Sequence, residues 1–273
     1  MTVSNLAGGK IYRIPAGDIE YVGYFYGANA GREDLKDARV RIGSLRGRVP
    51  DFLINCELFD FNTRRPASDV VASGKIHRLT ESFGLAFPGN RYAVFSYKNN
   101  VSAPDYIGFY PHLIRGGKVD FASSPAGLSG SRGRTAVGVD PSGNLYLALV
   151  PDKSGGATLP EVAKGLLAAG ATDGGNLDGG GSSQWYSPGG CTYTGRSLRG
   201  FVAVWLKPEP PVGQKRVQVR TALNIRKSAP NALGINLSPV VGTYRNGETV
   251  PVYEAKAGWW RTGRGWCYGF YLK

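Results

Sequence analysis

The sequence is poor in the residues that build metal centres and redox frameworks, with 3 cysteines, 2 histidines and 1 methionine in 273 residues. Cys56, Cys191 and Cys267 are too few and too scattered for a disulfide framework, and no Cys-x-x-Cys pair occurs. His77 and His112 stand far apart and make no metal-ligand spacing. Long apolar stretches are also missing: no run of about 18 apolar residues exists, which excludes a transmembrane helix. Met1 to Lys10 lack the apolar centre of a signal peptide. Acidic residues are in short supply, 20 against 33 Lys and Arg, so the formal net charge is +13. That deficit points to an anionic partner, whether nucleic acid, an anionic polymer or an acidic surface. What is abundant is 42% hydrophobic residues, enough for one or two cores, with 40 glycines and 17 prolines. The glycine and proline content implies a turn-rich, strand-heavy fold.

Lys207-Pro-Glu-Pro-Pro-Val-Gly-Gln-Lys215 is the clearest seam, because three prolines in four residues make a stiff, extended connector. It divides the chain into residues 1–207, a linker at 208–215 and a small domain at 216–273. Residues 214–273 hold ten Lys and Arg against two Glu, or +8, leaving 23 basic and 18 acidic residues, or +5, in the rest. More than half of the excess charge therefore sits in less than a quarter of the chain.

In the larger part, Phe52-Leu-Ile, Tyr92-Ala-Val-Phe and Leu145-Tyr-Leu-Ala-Leu-Val150 read as short strands, and Asp140-Pro-Ser-Gly143 as a hairpin turn. One helix is expected. Thr158-Leu-Pro-Glu161 has the form of a capping box with proline in the first turn. Leu159, Val162, Ala163, Leu166 and Leu167 follow at helical spacing, and Gly170 is a natural stop. The pattern fits an α+β domain with mixed sheets.

After that helix comes Asn176-Leu-Asp-Gly-Gly-Gly-Ser-Ser183. Gly179, Gly180 and Gly181 let backbone N–H groups approach a ligand, Ser182 and Ser183 add hydroxyl donors, and Asp178 adds a carboxylate. A tight glycine turn is the duller alternative. The Lys-Ser/Thr ending of a Walker A loop is absent, and the glycine spacing does not fit a dinucleotide fingerprint. In context the loop is more specific. It follows Ser131-Arg-Gly-Arg-Thr-Ala-Val-Gly-Val-Asp140, Pro151-Asp-Lys-Ser-Gly-Gly156 and the capped helix. Upstream stand Ile54-Asn-Cys-Glu-Leu-Phe-Asp60 and Tyr110-Pro-His-Leu-Ile-Arg-Gly-Gly-Lys118. Over residues 50–206 this succession resembles the phosphodiester glycosidase family, which includes the lysosomal uncovering enzyme. Two segments depart from the family pattern: Cys56, Glu57 and Leu58 replace small residues and the first aromatic, and Pro151-Asp-Lys-Ser replaces an Asp-Gly-Arg stretch.

The resemblance implies hydrolysis of a sugar-1-phosphodiester. Such a substrate carries a good leaving group, so strong general-acid help matters less than cations and N–H donors on the departing phosphate, with a carboxylate to activate water or stabilise the oxocarbenium ion. Asp178 is the leading carboxylate, with Glu57 and Asp152 next. Arg134, Thr135 and the Gly179–Ser183 loop are the candidates for phosphate, and Asn55 and Asn176 for sugar hydroxyls. Each has a structural alternative: a salt bridge for Glu57 and Arg134, a turn cap for Asp178. Cys56 reads as a buried, inert thiol. No cofactor is implied, no loop has calcium-site spacing, and a divalent ion at Asp178 or Asp152 stays open.

The tail reads as short strands joined by turns, which implies a small β-barrel. Leu223-Asn-Ile-Arg226, Val241-Gly, Gly247, Val250-Pro-Val, Gly258-Trp-Trp and Gly265-Trp-Cys-Tyr-Gly-Phe-Tyr-Leu272 resemble a bacterial SH3 (SH3b) domain, with Asn231 to Ser238 as an insertion. That resemblance implies binding to cell-wall polymers, with Tyr253, Trp259, Trp260, Trp266 and Tyr268 as candidate stacking residues and Arg226 buttressing a turn. The combined expectation is a hydrolase of a glycosyl phosphodiester, such as an N-acetylglucosamine-1-phosphodiester, in a bacterial envelope or capsule polymer. A non-catalytic wall-binding protein with a degenerate first domain is the alternative. The expected location is extracellular or envelope-facing, with phage origin as one route that needs no signal segment. Nucleic acid lacks a recognisable motif and is not an expected partner, and neither is membrane insertion.

Overall fold

The computed structural model describes residues 1–273 except 29–32, 61–62, 64, 79–82, 88, 90–93, 97–102 and 121–126, together with the side chains of 94–96 and 154. The chain forms two compact units, Met1–Lys207 and Pro208–Lys273.

The first unit is built on apolar runs that are buried on both faces. Leu145–Val150 is buried at every residue. Leu145, Leu147 and Leu149 join one core, and Tyr146, Ala148 and Val150 join a second. The second core is closed by the helix Leu159–Ala169, whose Leu159, Val162, Ala163 and Leu166 are buried. Its capping box forms as the sequence predicts, with the Thr158 hydroxyl accepting from the Glu161 N–H and Gly170 ending the helix at φ +104°. The strand Phe52–Asn55 behaves likewise: Phe52 and Ile54 face the first core, while Leu53 packs into a third beside Leu35, Ala38 and Ile42. Those three belong to a second helix, Leu35–Ser44, capped by Asp34. Sequence reading missed it because its apolar face is short and broken by charge, although Asp34 was a legible cap. Two sheets thus lie face to face, each covered outside by one of these two helices.

The inner sheets have seven and five strands. The seven-stranded sheet runs Thr2–Leu6, Gly9–Ile14, Leu145–Val150, Arg134–Val139, Asp173–Asn176, His112–Arg115 and Lys118–Val119 in spatial order. The five-stranded sheet runs Gly190–Thr192, Trp185–Ser187, Phe52–Asn55, Gly200–Leu206 and Ile19–Tyr26. A third sheet includes Val70–Ala72, Gly84–Phe87 and Asp105–Gly108 and adds Val70, Leu85 and Ile107 to the central core. The strand expected at residues 92–95 appears as Val94–Ser96; Tyr92 and Ala93 lie outside the described residues.

Two expectations about fold class are corrected. The protein is mostly β, with two α-helices among the described residues, and its pairings there are all antiparallel rather than mixed. The reason is connectivity. Parallel neighbours need long crossovers, usually helical, whereas adjacent strands here are repeatedly joined by tight turns such as Asp140–Gly143.

The second unit is a six-stranded antiparallel sheet over a core of Val217, Leu223, Ile225, Tyr244, Val250, Val252, Cys267 and Leu272. A closed SH3-like barrel is not formed. The edge strands Gly213–Arg216 and Val240–Arg245 do not pair with each other, and Val217 makes only an isolated bridge to Leu272.

Phe52 is fully buried, with its ring meeting Tyr12 edge to face at 5.2 Å. Phe52→Ala is expected to destabilise the first unit by about 3–5 kcal/mol, measured by urea denaturation.

Candidate active site

The candidate site lies where the two inner sheets are stitched at their ends. The strand Asp173–Asn176 leaves the seven-stranded sheet, and after residues 177–184 the chain enters the five-stranded sheet at Trp185. Along that crossing the Leu177 N–H donates to Thr135 O at 2.8 Å and the Asp178 N–H to Cys56 O at 3.2 Å. Asn55 ties the arrangement together. Its Nδ2 donates to Asp178 O at 2.7 Å, while its Oδ1 accepts from the Thr135 hydroxyl at 2.7 Å and the Gln184 N–H at 3.2 Å.

Asp178 faces a cleft of about 560 Å³ lined also by Phe59, Arg132, Arg134, Asp152, Gly179–Gly181 and Arg196. Burial pushes its carboxyl up to about 6, and the nearby Glu57 charge acts in the same direction. Three groups oppose that shift: the Ser182 hydroxyl and Gly179 N–H, which hydrogen-bond the carboxylate, and the Arg196 charge. Arg196 also reaches Asp178 through Ser182, since its Nη1 donates to Ser182 Oγ at 3.1 Å. Gly181 leaves room for this approach, since a Cβ there would stand 2.9 Å from Arg196 Nη2 and the guanidinium would have to shift.

The predicted residues divide into those on the cleft and those beneath it. Asp178, Asp152, Arg134 and Gly179 to Gly181 line it. Asp152 is exposed, and its Oδ1 accepts the Gly133 N–H at 2.6 Å. Asn55, Thr135, Asn176, Ser182 and Ser183 are all at most 1% exposed. Asn55 and Asn176, expected at sugar hydroxyls, and Thr135, Ser182 and Ser183, expected at substrate, thus lie beneath the cleft surface. Asn55 and Thr135 clamp the loop, Asn176 donates to Tyr110 O at 2.9 Å, and Ser182 links Arg196 to Asp178.

The glycine loop is also less open than its sequence implies. The N–H groups of Gly179, Gly180, Ser182 and Ser183 are spent on Asp178 Oδ1, Gly133 O, Gly179 O and Gly180 O. Among the described residues only the Gly181 N–H of this loop has no such partner. Gly179 instead serves packing, since a Cβ would lie 2.8 Å from Gly133 O. Arg134 is likewise anchored: Nε donates to Ala157 O, and Nη2 donates to Leu128 O and Gly130 O, at 2.7–3.0 Å. Its salt-bridge alternative is replaced by these three carbonyls.

Glu57 lies off the cleft, with a fully buried side chain. Its Oε1 accepts from Arg199 Nε at 3.0 Å and its Oε2 from the Tyr24 hydroxyl at 2.8 Å. Burial raises its pKa against both partners. The salt-bridge reading is the one this geometry favours, and Glu57 affects the site through its charge. Cys56 is a free, buried thiol whose pKa burial raises well above the usual range. Cys191 and Cys267 are also free. Among the described residues no group of three or more His, Cys, Asp or Glu is gathered around a metal-sized space.

Residues 51–235, more than half of the chain, match the phosphodiester glycosidase (NAGPA) family. The chain belongs to that family. No curated protein sequence matches it. Among solved structures, the zebrafish N-acetylglucosamine-1-phosphodiester α-N-acetylglucosaminidase catalytic domain, auto-inhibited by its pro-peptide, is similar at 19% identity and TM-score 0.57, over 76% of this chain and 82% of that one. A hypothetical protein from Synechocystis is similar at 15% identity and TM-score 0.56, over 76% of this chain and 61% of that one. A putative exported protein from Burkholderia pseudomallei K96243 follows at 14% identity and TM-score 0.51, over 73% and 75%. These likenesses share the fold of a phosphodiester glycosidase.

Two cleft arginines escaped sequence reading. Arg132 stood inside a recognised segment but was passed over for Arg134. Arg196 lies in an irregular stretch with no local pattern, and only the fold brings it to Asp178.

The folded protein holds the Asp178 proton up to about pH 6, whereas the unfolded chain releases it near its ordinary value of 3.8. Asp178 thus favours folding below about pH 4, and that contribution is lost as the pH rises to about 6. Asp178→Asn is expected to gain stability over wild type across this window, by at most about 3 kcal/mol, in urea titrations from about pH 4 to about pH 7.

Proposed function

We propose that the first unit hydrolyses the glycosidic bond of a sugar-1-phosphodiester, with Asp178 as general base and arginines holding the departing phosphate. The observation that carries this reading is a carboxyl with a pKa raised to about 6, set in a cleft lined by Arg132, Arg134 and Arg196. A group titrating near the working pH is suited to taking a proton in the transition state. Water attacks the anomeric carbon and gives its proton to Asp178, the bond from that carbon to the phosphate oxygen breaks, and a phosphate monoester leaves with the electron pair. Because this leaving group is a weak base, the cleft needs cations more than a second carboxylic acid. Anchored on three carbonyls, Arg134 supplies a fixed charge, and Arg196 both neutralises phosphate and holds Asp178 through Ser182. Asp152 is the second carboxylate on the cleft.

The substrate class follows from family membership and from the zebrafish relative, which is named for N-acetylglucosamine-1-phosphodiester. An envelope or capsule polymer containing such linkages also suits the net charge of +13. The tail, with its SH3b resemblance and charge of +8, is assigned to holding that polymer, and the protein to an extracellular or envelope-facing location.

Wild type is expected to release reducing sugar from a panel of sugar-1-phosphodiesters, N-acetylglucosamine-1-phosphodiesters included. Asp178→Asn is expected to lower kcat/KM by about 10²–10⁴-fold with circular dichroism unchanged. Failure of wild type to cleave any member of the panel, or full activity in the folded variant, would sink the proposal and favour a non-catalytic wall-binding role.

The wild-type kcat/KM should climb about tenfold per pH unit below about pH 6 and then level off. Since the Arg196 charge favours the ionised carboxylate, Arg196→Ala is expected to move this rising limb to higher pH as well as lower its plateau. A lower plateau with an unmoved limb would confine Arg196 to phosphate binding.

A further inference from the structure

The second unit carries a cationic aromatic groove that gives the polymer-holding role proposed for the tail a definite site and ligand chemistry. A hollow of about 510 Å³ is lined by Arg220, Asn224, Arg226, Trp259, Tyr268 and Tyr271, among others. A shallower one of about 370 Å³ adds Phe270 and Lys273 and shares Val219, Arg220 and Tyr271 with the first. The two therefore adjoin across these shared walls, an arrangement that suits a linear ligand better than a compact one.

The strand Ala222–Arg226 explains the lining. Leu223 and Ile225 turn into the core, so Ala222, Asn224 and Arg226 turn outward. On the other side the aromatic rings touch in series: Trp259 to Tyr268 at 5.4 Å, Tyr268 to Phe270 at 6.5 Å and Phe270 to Tyr271 at 5.2 Å. Tyr268, Phe270 and Tyr271 remain 44%, 66% and 40% exposed. Rings left in water at this density mark a binding surface rather than a core. No acidic residue lines either hollow. Both acids of residues 214–273 are occupied elsewhere, Glu248 by the Arg245 N–H and Glu254 by Arg261.

We propose that this groove binds a phosphate-bearing glycan chain, with pyranose faces laid on Tyr268, Tyr271 and Trp259 and phosphates paired with Arg220, Arg226 and Lys273. Apolar C–H faces of a sugar match the exposed rings, and the anionic links match a cation set with no acid among it. The choice of a sugar phosphate rests on the hydrolase reading; the demand for an anionic, stackable, linear ligand rests on the groove alone. Among the sequence-predicted stacking residues, Trp259 and Tyr268 belong to it, while Trp266 is core, at 7% exposed.

The test is calorimetric titration of the full chain with a purified poly(glycosyl-1-phosphate), using Asp178→Asn to keep the polymer intact. Arg220→Glu and Tyr268→Ala are each expected to weaken binding at least tenfold while leaving hydrolysis of a small soluble sugar-1-phosphodiester unchanged. Arg220 is exposed and makes no side-chain bond among the described residues, so its substitution leaves the unit folded. Rising salt should weaken binding, and a neutral dextran should not bind. Unchanged binding in both variants, equal affinity for dextran, or equal affinity for single-stranded DNA would each overturn the assignment. If the hydrolase reading fails, wild type also leaves the polymer intact and the binding result stands by itself.

Discussion

The site depends on one buried side chain, the Asn55 amide. Its three hydrogen bonds run to Asp178 O, the Thr135 hydroxyl and the Gln184 N–H, and so reach both inner sheets and the loop between them. Each bond contributes about 0.5–1.5 kcal/mol by itself, but a lost partner leaves a buried polar group unpaired at about 1–3 kcal/mol. The amide is also the right residue type. It must accept twice and donate at once, which neither a carboxylate nor an aliphatic side chain of similar size can do. Through this clamp the position of Asp178 is determined by the packing of the sheets rather than by the loop.

That rigidity accounts for the electrostatics. A carboxylate on a mobile loop would turn toward water and keep its ordinary pKa. Held in place, Asp178 meets desolvation that outweighs a hydroxyl, an N–H and an arginine, and its pKa rises to about 6. The opposing groups keep it within reach of neutral pH. Glu57 contributes differently, since Arg199 and Tyr24 occupy its two oxygens and only its residual field reaches Asp178. Two buried carboxylates thus diverge in role because one is fully partnered and the other borders a cleft.

Much of this arrangement was legible in the chain. The capped helix at Thr158, the Asp140 hairpin and the loop around Asp178 all carry local signals, either turn chemistry or periodicity. Sheet direction did not, because runs such as Leu145–Val150 lack alternation when both faces are buried, and direction then depends on connections rather than composition. Direct contact by Asn55, Thr135 and Ser182 could not be told from a supporting role for a related reason. Polar residues in a motif are equally needed to bind a ligand or to satisfy the backbone beneath it, and burial alone separates the two. Arg196 had no local signal at all, since its role arises from long-range packing against Ser182 and Gly181.

On the proposed readings the same residue type serves two purposes in the two units, and the difference lies in anchoring. Arg134 gives Nε and Nη2 to three carbonyls, and Arg196 is braced on Ser182, so their charges are preorganised. Fixed charge is what stabilises a transition state, because nothing need reorganise as the phosphate departs. Arg220 is exposed and unanchored among the described residues. A charge of that kind adds little to a transition state but follows a flexible polyanion readily, at the cost of strong screening by salt. On the proposed reading, weak capture in the tail still matters, because tethering a second site to the first raises the local concentration of one polymer at both without any new contact.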